Sequence, residues 1–365
     1  MLNAFKSTIK WIAAIVVICL AAYFLASING LSVSRTIGTI GGNEVTESEF
    51  KYYLEMTKDQ MISEAGATDE KAFWESEIDG KKATEVAKER ALEELVRTEK
   101  AVVKAAEEGI TLSEEEKNAA RSVVSANNAE MAEQIKELED AIGADKYAIA
   151  DIMEKAYLAN AYYQHVTTME NSPIVVEDAE VNAKAEEAYA CVKHVLVMNA
   201  PSSDPVVAED GTEVPAAEPT EEELAAYKEE AKKKADDVLA KAVAGENFEG
   251  LITEYGEDPG MTSTPDGYLI DENGASIDGS GTMVEEFTKG TFAVKAGEVN
   301  PELVESSYGW HIIKRYPLPA EGENHDTIMA SAKNNVTSEK YEAYIDGLEM
   351  EVSINEKIYN KIKVN

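Results

Sequence analysis

Two histidines stand inside apolar, β-branched runs at the two ends of one segment of this chain. His194 lies in CVKHVLV and His311 lies in YGWHIIKRY. Runs of this composition are typical of buried strands, so we expect the two imidazoles to lie on neighbouring strands of one small sheet. Imidazole titrates near neutral pH and both donates and accepts hydrogen bonds, so such a pair can orient other groups or act as general acid and base.

The residues between the two histidines add an acidic and an apolar component. Glu257 and Asp258 follow a predicted short helix, Met283 and Phe287 are one helical turn apart, and Phe292 comes next. Simpler readings stay open for each of them. A histidine in an apolar strand is often a core residue, Met283 and Phe287 also suit a plain core, and Asp258 also suits a cap of the DPG turn.

Several other chemistries lack their sequence signals. A Ser-His-Asp hydrolase is disfavoured because no serine sits in a strained, Gly-rich elbow. Neither a P-loop nor a dinucleotide-binding fingerprint is present. The four histidines and two cysteines show no metal-ligand spacing, so the sequence predicts no metal site and no cofactor.

The elements between the two histidine strands predict a small four-stranded sheet flanked by helices. The first strand leads into NAPSSDPVVAEDGTEVPAAEPTEEE, whose Pro, Ser and acidic residues indicate an inserted flexible loop. A helix is predicted from Glu221 to Ala244, and GENFEGLITEYGEDPG supplies a second one. A Gly- and Asp-rich stretch, a short helix around MVEEFTKGTFAV and the final strand complete the segment.

The flanking sequence is helical. Thr46 with Glu49, and Ser113 with Glu116, form capping-box signatures at two helix starts. The C-terminal tail predicts one helix and a strand, which we expect to dock onto the N-terminal helices because neither can bury its apolar face alone. The fold class is α+β, with the following domains: an anchor in residues 1–30, a helical chaperone-like domain in residues 31–190 that residues 320–365 complete, and an inserted domain in residues 191–319.

An uncharged stretch near the N-terminus predicts a membrane helix. WIAAIVVICLAAYFLAS, residues 11–27, approaches the about 20 residues that cross a bilayer core. Lys6 and Lys10 precede it, so we expect a cytoplasmic N-terminus and an extracytoplasmic location for the bulk of the chain. A cleaved signal peptide and a lipoprotein anchored at Cys19 are the alternatives.

Charge and cysteine content narrow the function classes further. The 365 residues carry a formal net charge of −36, which argues against nucleic-acid binding. The most basic stretch, KEEAKKK at 228–234, lies among acidic residues and indicates a solvated helix face. Cys19 and Cys191 are the two cysteines, so no intrachain disulfide framework is expected.

The order of motifs resembles the parvulin family of peptidyl-prolyl isomerases. HVLV, GENFEGLITEYGEDPG, DGYL, MVEEF, TFAVKAGEV and YGWHIIK follow one another in family order over Cys191–Tyr316. The flanking TIGGNEVTESEF and GITLSEEE are similar to exported foldases of the SurA and PrsA type. The resemblance implies a membrane-anchored extracytoplasmic isomerase and foldase. Its implied partners are unfolded or proline-containing secreted polypeptides, the membrane and, through the helical domain, a second copy in a homodimer.

The resemblance also implies a role for each candidate residue. His194 and His311 match the paired histidines of the family, Asp258 matches a position held by cysteine or aspartate, and Ser306 lies near a hydroxyl position. Together these four form the implied catalytic set. The implied prolyl pocket is formed by Met283, Phe287 and Phe292.

One departure from the family pattern leaves a second function open. Many bacterial members have a glycine pair, an acidic residue and Leu-Gly where this chain has Thr264, Pro265, Asp266, Gly267 and Tyr268. The alternative is a holdase chaperone with a catalytically silent parvulin domain. The acidic insertion after Met198 lacks clustered Arg or Lys, so recognition of phosphoserine-proline is not expected.

Overall fold

The computed structural model describes residues 34–201, 206–207, 213–214 and 219–364. The chain forms two compact units, one running to Val175 and resuming at Glu339, the other comprising Val176–Ser338. The predicted membrane helix at residues 11–27 lies outside the described residues. Within the described ranges, no helix is long and apolar enough to cross a bilayer.

The described elements confirm a mixed helical and sheet protein. The helices are α1 Glu47–Ala65, α2 Glu70–Glu75, α3 Ala83–Glu107, α4 Glu114–Ser122, α5 Ala129–Ile142, α6 Lys146–Thr168, α7 Asp178–Ala188, α8 Glu221–Val243, α9 Phe248–Tyr255, α10 Pro259–Ser263, α11 Glu285–Phe292, α12 Glu323–Asp346 and α13 Glu356–Tyr359. The strands are β1 Thr36–Ile40, β2 Asn43–Thr46, β3 Glu77–Ile78, β4 Lys81–Lys82, β5 Tyr189–Met198, β6 Val206–Val207, β7 Glu213–Val214, β8 Tyr268–Asp271, β9 Val304–Glu305, β10 Gly309–Tyr316 and β11 Val352–Ile354.

The first unit joins the start of the chain to its end. Strand β11 pairs with β1 in a three-stranded sheet of order β11-β1-β2, with Gly38 opposite Ile354. Its core contains fully buried Ile37, Phe50 and Leu95, and Ile362 near the C-terminus packs against the same cluster. The capping boxes at Thr46 and Ser113 are both formed. The C-terminal segment is thus an integral part of the helical unit.

A charged cluster lies inside this unit. Glu99 on α3 is fully buried and Glu49 on α1 is 5% exposed. Lys155 on α6 bridges them, with its Nζ 2.7 Å from Glu49 Oε1 and 2.6 Å from Glu99 Oε1. The Asn43 side-chain amide donates to the second Glu99 oxygen at 3.2 Å. Burial raises the pKa of Glu49 above its usual value, so one lysine holds two carboxylates that would otherwise be costly to bury.

The second unit contains the predicted four-stranded sheet, with the order β8-β5-β10-β9. All three pairings are antiparallel, and the long β5–β10 pair sets His194 opposite Ile313 and His311 opposite Leu196. Strand β5 is buried almost throughout, as its continuous apolar run predicts for a strand covered on both faces.

The two faces of this sheet have different neighbours because successive side chains point to opposite sides. On one face, Val195, Val197 and Ile312 pack against α8 and α9. On the other face, the cluster is formed by Ala190, Val192, Ile270, Ile313 and Phe287, the last of which belongs to α11. Phe287 of this second cluster contacts the rings of both histidines.

Candidate active site

The two histidines share one face of the sheet because each follows the strand alternation. His194 is two residues beyond Val192, and His311 is two residues before Ile313, both of which belong to the cluster under α11. The rings stack with centroids 5.1 Å apart and planes at 26°. Their Nδ1 atoms are 3.0 Å apart, and each residue is 4% exposed. The sheet therefore holds a buried, hydrogen-bonded imidazole pair.

Asp258 reaches this pair from the start of α10. Its Oδ1 accepts the backbone N–H of Gly260 at 2.9 Å, which caps the short helix. Its Oδ2 lies 2.8 Å from His194 Nε2. Asp258 thus caps the DPG turn and contacts the imidazole at the same time, so the two readings of this residue are compatible.

Ser306 meets the pair from the opposite end. Its Oγ lies 2.7 Å from His311 Nε2, and it accepts the backbone N–H of Tyr308 at 3.1 Å. Ser306 is 7% exposed and stands in the turn that joins β9 to β10. Ser306 therefore contacts the ring nitrogen of His311 that does not face His194.

The hydrogen bonds assign the proton positions along this chain of groups. Burial raises the pKa of Asp258, but hydrogen bonds from His194, Tyr268 and Gly260 outweigh it and lower the pKa to about 2, so Asp258 is an ionised acceptor. His194 must then donate from Nε2 and, when neutral, accept at Nδ1. His311 consequently donates from Nδ1 and accepts the Ser306 hydroxyl proton at Nε2. In each hydrogen bond from Ser306 through His311 and His194 to Asp258, the donor is thus the group nearer Ser306 and the acceptor is the group nearer Asp258.

His311 is held in its neutral form. Burial, with the neighbouring His194 adding to it, lowers the pKa of His311 to about 3 despite the opposing charge of Asp258. A group whose pKa lies this far below neutral pH does not exchange protons readily under physiological conditions. The pair is therefore suited to orienting neighbours by hydrogen bonds rather than to acid-base chemistry.

Stability should fall on acidification because of this residue. The unfolded chain binds a proton on His311 below pH 6.5, whereas the folded chain does so only near pH 3. The contribution of His311 to the free energy of unfolding is therefore complete above pH 6.5 and is lost as the pH falls towards 3. We expect the free energy of unfolding to drop by about 2 kcal/mol between pH 7 and pH 5 from this group. Urea denaturation at both pH values should show a smaller drop in His311→Gln, and equal drops in the two proteins would contradict this account.

An apolar cavity opens over the histidine pair. The Phe287 ring lies edge-on to both imidazoles, 4.9 Å from His194 and 5.3 Å from His311 between centroids. The cavity measures about 240 Å³, and within the described part of the chain Asp258 is the one charged residue that lines it. Its lining residues are His194, Leu196, Asp258, Tyr268, Thr282, Met283, Val284, Phe287, Tyr308 and His311.

Not every sequence candidate lines this cavity. Phe292 packs against the same cluster but lies beneath Arg315, whose guanidinium carbon is 5.1 Å from the ring centroid. Leu196, Tyr268 and Tyr308 line the cavity although sequence reasoning did not select them. The strand alternation could have found Leu196, which is two residues beyond His194.

Two family descriptions match separate parts of the chain. Residues 216–316 match the PPIC-type PPIase domain, a range that contains Asp258, Met283, Phe287 and His311, whereas His194 and Leu196 precede it. Residues 2–134 match the SurA-like N-terminal domain.

Several curated relatives are named foldase protein PrsA. The chain is 24% identical over 326 residues to the foldase protein PrsA of Caldanaerobacter subterraneus subsp. tengcongensis, covering 85% of this chain and 84% of that protein. It is 36% identical over 108 residues to PrsA of Geobacillus kaustophilus, and 34% identical over 110 residues to PrsA of Bacillus subtilis. These two matches span 28% and 30% of this chain and only about a third of each relative, 35% and 34% respectively.

Solved structures of PrsA proteins also align with this chain. The crystal structure of PrsA from Bacillus subtilis aligns with 75% of this chain and 92% of that chain, at 20% identity and a TM-score of 0.23. PrsA from Streptococcus pneumoniae aligns with 91% and 96%, at 14% identity and a TM-score of 0.28. By its two domain families and its curated relatives, the chain contains a parvulin-type peptidyl-prolyl isomerase domain and is similar to foldases of the PrsA and SurA type.

Proposed function

We propose that the cavity over His194 and His311 is the prolyl site, and that residues 191–319 carry the isomerase chemistry. The observation that carries this proposal is a buried, hydrogen-bonded imidazole pair at the base of an apolar cavity of about 240 Å³. Phe287 and Met283 form the apolar wall of this site. His194, Asp258 and His311 form its polar floor, and Ser306 supports His311 by a hydrogen bond.

The physical task of such a site is to ease rotation about an amide bond. Amide resonance sets the barrier at about 18–20 kcal/mol, and the planar amide is more polar than the twisted one. A proline ring gripped by Phe287 and Met283 leaves its preceding carbonyl free to turn within a poorly polar cavity. The less polar twisted amide is favoured there over the planar one, which lowers the barrier.

The polar floor acts without covalent chemistry. Asp258 accepts three hydrogen bonds, from His194, Tyr268 and Gly260, and its pKa of about 2 keeps it a carboxylate. These donors occupy three of the about four lone-pair positions of the carboxylate, which makes it a weak base and nucleophile. His311 is neutral and is itself occupied on both ring nitrogens. The four residues therefore form a rigid scaffold under the proline clamp.

The lining of the cavity favours unmodified prolyl peptides as substrates. Among the described residues the lining contains no lysine or arginine, so a phosphate next to the proline would meet the Asp258 carboxylate and no described cation. The clients proposed for this foldase are unfolded, proline-containing secreted polypeptides.

The N-terminal sequence supports a location at a membrane. We infer that residues 11–27 anchor the chain and that the bulk of it lies on the extracytoplasmic side, with two lysines before the apolar stretch. Protease treatment of intact cells should cut residues beyond 34, and complete protection would contradict this topology. A homodimer through the helical unit stays a prediction, and sedimentation of the purified chain tests it.

The isomerase activity can be measured directly on the purified chain. Uncatalysed prolyl isomerisation takes about 10–100 s at 25 °C. We expect micromolar protein to shorten the exchange time of a proline tetrapeptide by at least about tenfold, because the clamp lowers the rotational barrier. No acceleration by a protein whose circular dichroism shows a folded chain would contradict the proposal, and suppression of client aggregation by that protein would support a holdase instead.

A further inference from the structure

The Asp258 carboxylate has a second side-chain partner in the site. The Tyr268 hydroxyl donates to Asp258 Oδ2 at 2.7 Å, which is the oxygen that also accepts His194 Nε2 at 2.8 Å. Tyr268 opens strand β8 at the edge of the sheet and its side chain lines the prolyl cavity. The hydroxyl thus contacts the carboxylate of the cavity lining.

Gly260 provides the space for this contact. A methyl group added at Gly260 would lie 1.8 Å from the Tyr268 hydroxyl oxygen and 3.1 Å from Asp258 Oδ1. A side chain at this position would therefore push the phenol away from the carboxylate. The backbone of Gly260 also donates to Oδ1, so the same residue holds one carboxylate oxygen and admits the donor to the other.

Three donors then fix the carboxylate plane. Without Tyr268, Oδ2 would keep His194 as its single donor and Oδ1 would keep Gly260, so two donors instead of three would hold the carboxylate plane. The adjacent Glu257 does not compete for these donors. Its carboxylate accepts hydrogen bonds from Lys234 Nζ at 2.6 Å and from the Met198 backbone N–H at 2.7 Å. Within the described residues, Asp258 is thus oriented by His194, Tyr268 and Gly260.

We propose that Tyr268 is a positioning residue of the isomerase site: its hydroxyl locks the Asp258 carboxylate and thereby fixes the tautomer and orientation of the His194–His311 pair. The proposal rests on the prolyl site proposed above. Tyr268 lies in the stretch 264–268 that departs from the usual parvulin pattern, so the lock is a property of this chain's own loop.

The test is Tyr268→Phe in the full chain, read by kinetics and by nitrogen NMR of the histidine rings. We expect kcat/KM to fall about tenfold, the effect of one lost charge-assisted hydrogen bond. The wild type should show a proton on Nε2 of His194 and on Nδ1 of His311, and the variant should show averaged tautomers. Tyr316→Phe is the matched control, because its hydroxyl also donates to a carboxylate, that of Glu249 at 2.9 Å, on the opposite face of the same sheet.

A second variant keeps the test decisive. Gly260→Ala should reproduce both effects by displacing the phenol, and the double variant with Tyr268→Phe should be no worse than either single one. Wild-type kcat/KM and fixed tautomers in Tyr268→Phe would overturn the proposal, as would additive losses in the double variant. If Phe287→Ala abolishes activity while Tyr268→Phe does not, the prolyl site stands and only the lock fails. If neither variant loses activity, the site itself is wrong.

Discussion

Replacing Phe287 by alanine is expected to lower kcat/KM for a prolyl peptide by roughly 100-fold, equivalent to about 2.7 kcal/mol of transition-state stabilisation. Phe287 is 2% exposed and its ring edge meets both imidazoles. Its removal deletes the wall against which the proline ring would turn, and it admits water beside the carbonyl. The measurement is isomerisation of a proline tetrapeptide by the purified full chain.

Phe248→Ala is the control that separates this effect from lost stability. Phe248 is 3% exposed in the cluster on the opposite face of the same sheet, away from the histidines. Both variants should lose about 3–5 kcal/mol of unfolding free energy, since each leaves a cavity of similar size. Only Phe287→Ala should lose activity below its melting range. Equal activity losses in the two variants would show that Phe287 acts through stability alone.

Replacing Lys155 by methionine should produce the largest loss of stability in the helical unit, about 3–5 kcal/mol at pH 8. The substitution leaves Glu49 and Glu99 as neighbouring buried carboxylates without their shared cation. Urea denaturation followed by circular dichroism measures the loss. The matched control is Lys136→Met, whose exposed pair with Asp140 should contribute less than about 1 kcal/mol.

The pH dependence of this variant has a definite sign. The pKa of Glu49 is raised in the folded chain, mainly by burial, so the folded protein binds a proton there more readily than the unfolded one. Loss of Lys155 raises it further, and protonation of one carboxylate relieves the repulsion. The destabilisation by Lys155→Met should therefore be smaller at pH 5 than at pH 8, and a loss of equal size at both pH values would contradict the assignment.

Local rules predict the strands and helix starts of this protein well. The strands around His194 and His311 follow from β-branched runs, and the capping boxes at Thr46 and Ser113 follow from residues three positions apart. In these cases the signal and the structure lie within the same few residues.

The composition of the cavity wall depends on helix rotation and was harder to predict. Met283 precedes α11, so it is not one helical turn from Phe287 as the sequence predicts, whereas Phe287 and Phe292 lie five residues apart on this helix, which turns their side chains about 140° from each other. Phe292 accordingly faces Arg315. The spacing of the two phenylalanines on the helix therefore predicts that Phe292 points away from the cavity. Residue type alone would assign both aromatic rings to the pocket.

Contacts between distant segments gave no sequence signal. The partners Glu49, Glu99 and Lys155 lie on three helices and look like ordinary surface charges in a chain with 70 acidic residues. Tyr268 presents the same difficulty, since its contact with Asp258 depends on the missing side chain of Gly260. Such contacts are determined by packing between elements and not by spacing along the chain.

The pairing of β11 with β1 imposes an order on folding. Gly38 meets Ile354 across more than three hundred residues, and a methyl group at Gly38 would lie 2.2 Å from the Ser353 carbonyl oxygen. A chain that emerges with its N-terminus first therefore presents β1 without its partner until the last residues arrive. The isomerase unit is complete by then and can form its own core. Residues 176–338 are thus synthesised before β11 can pair with β1 and complete the sheet of the helical unit.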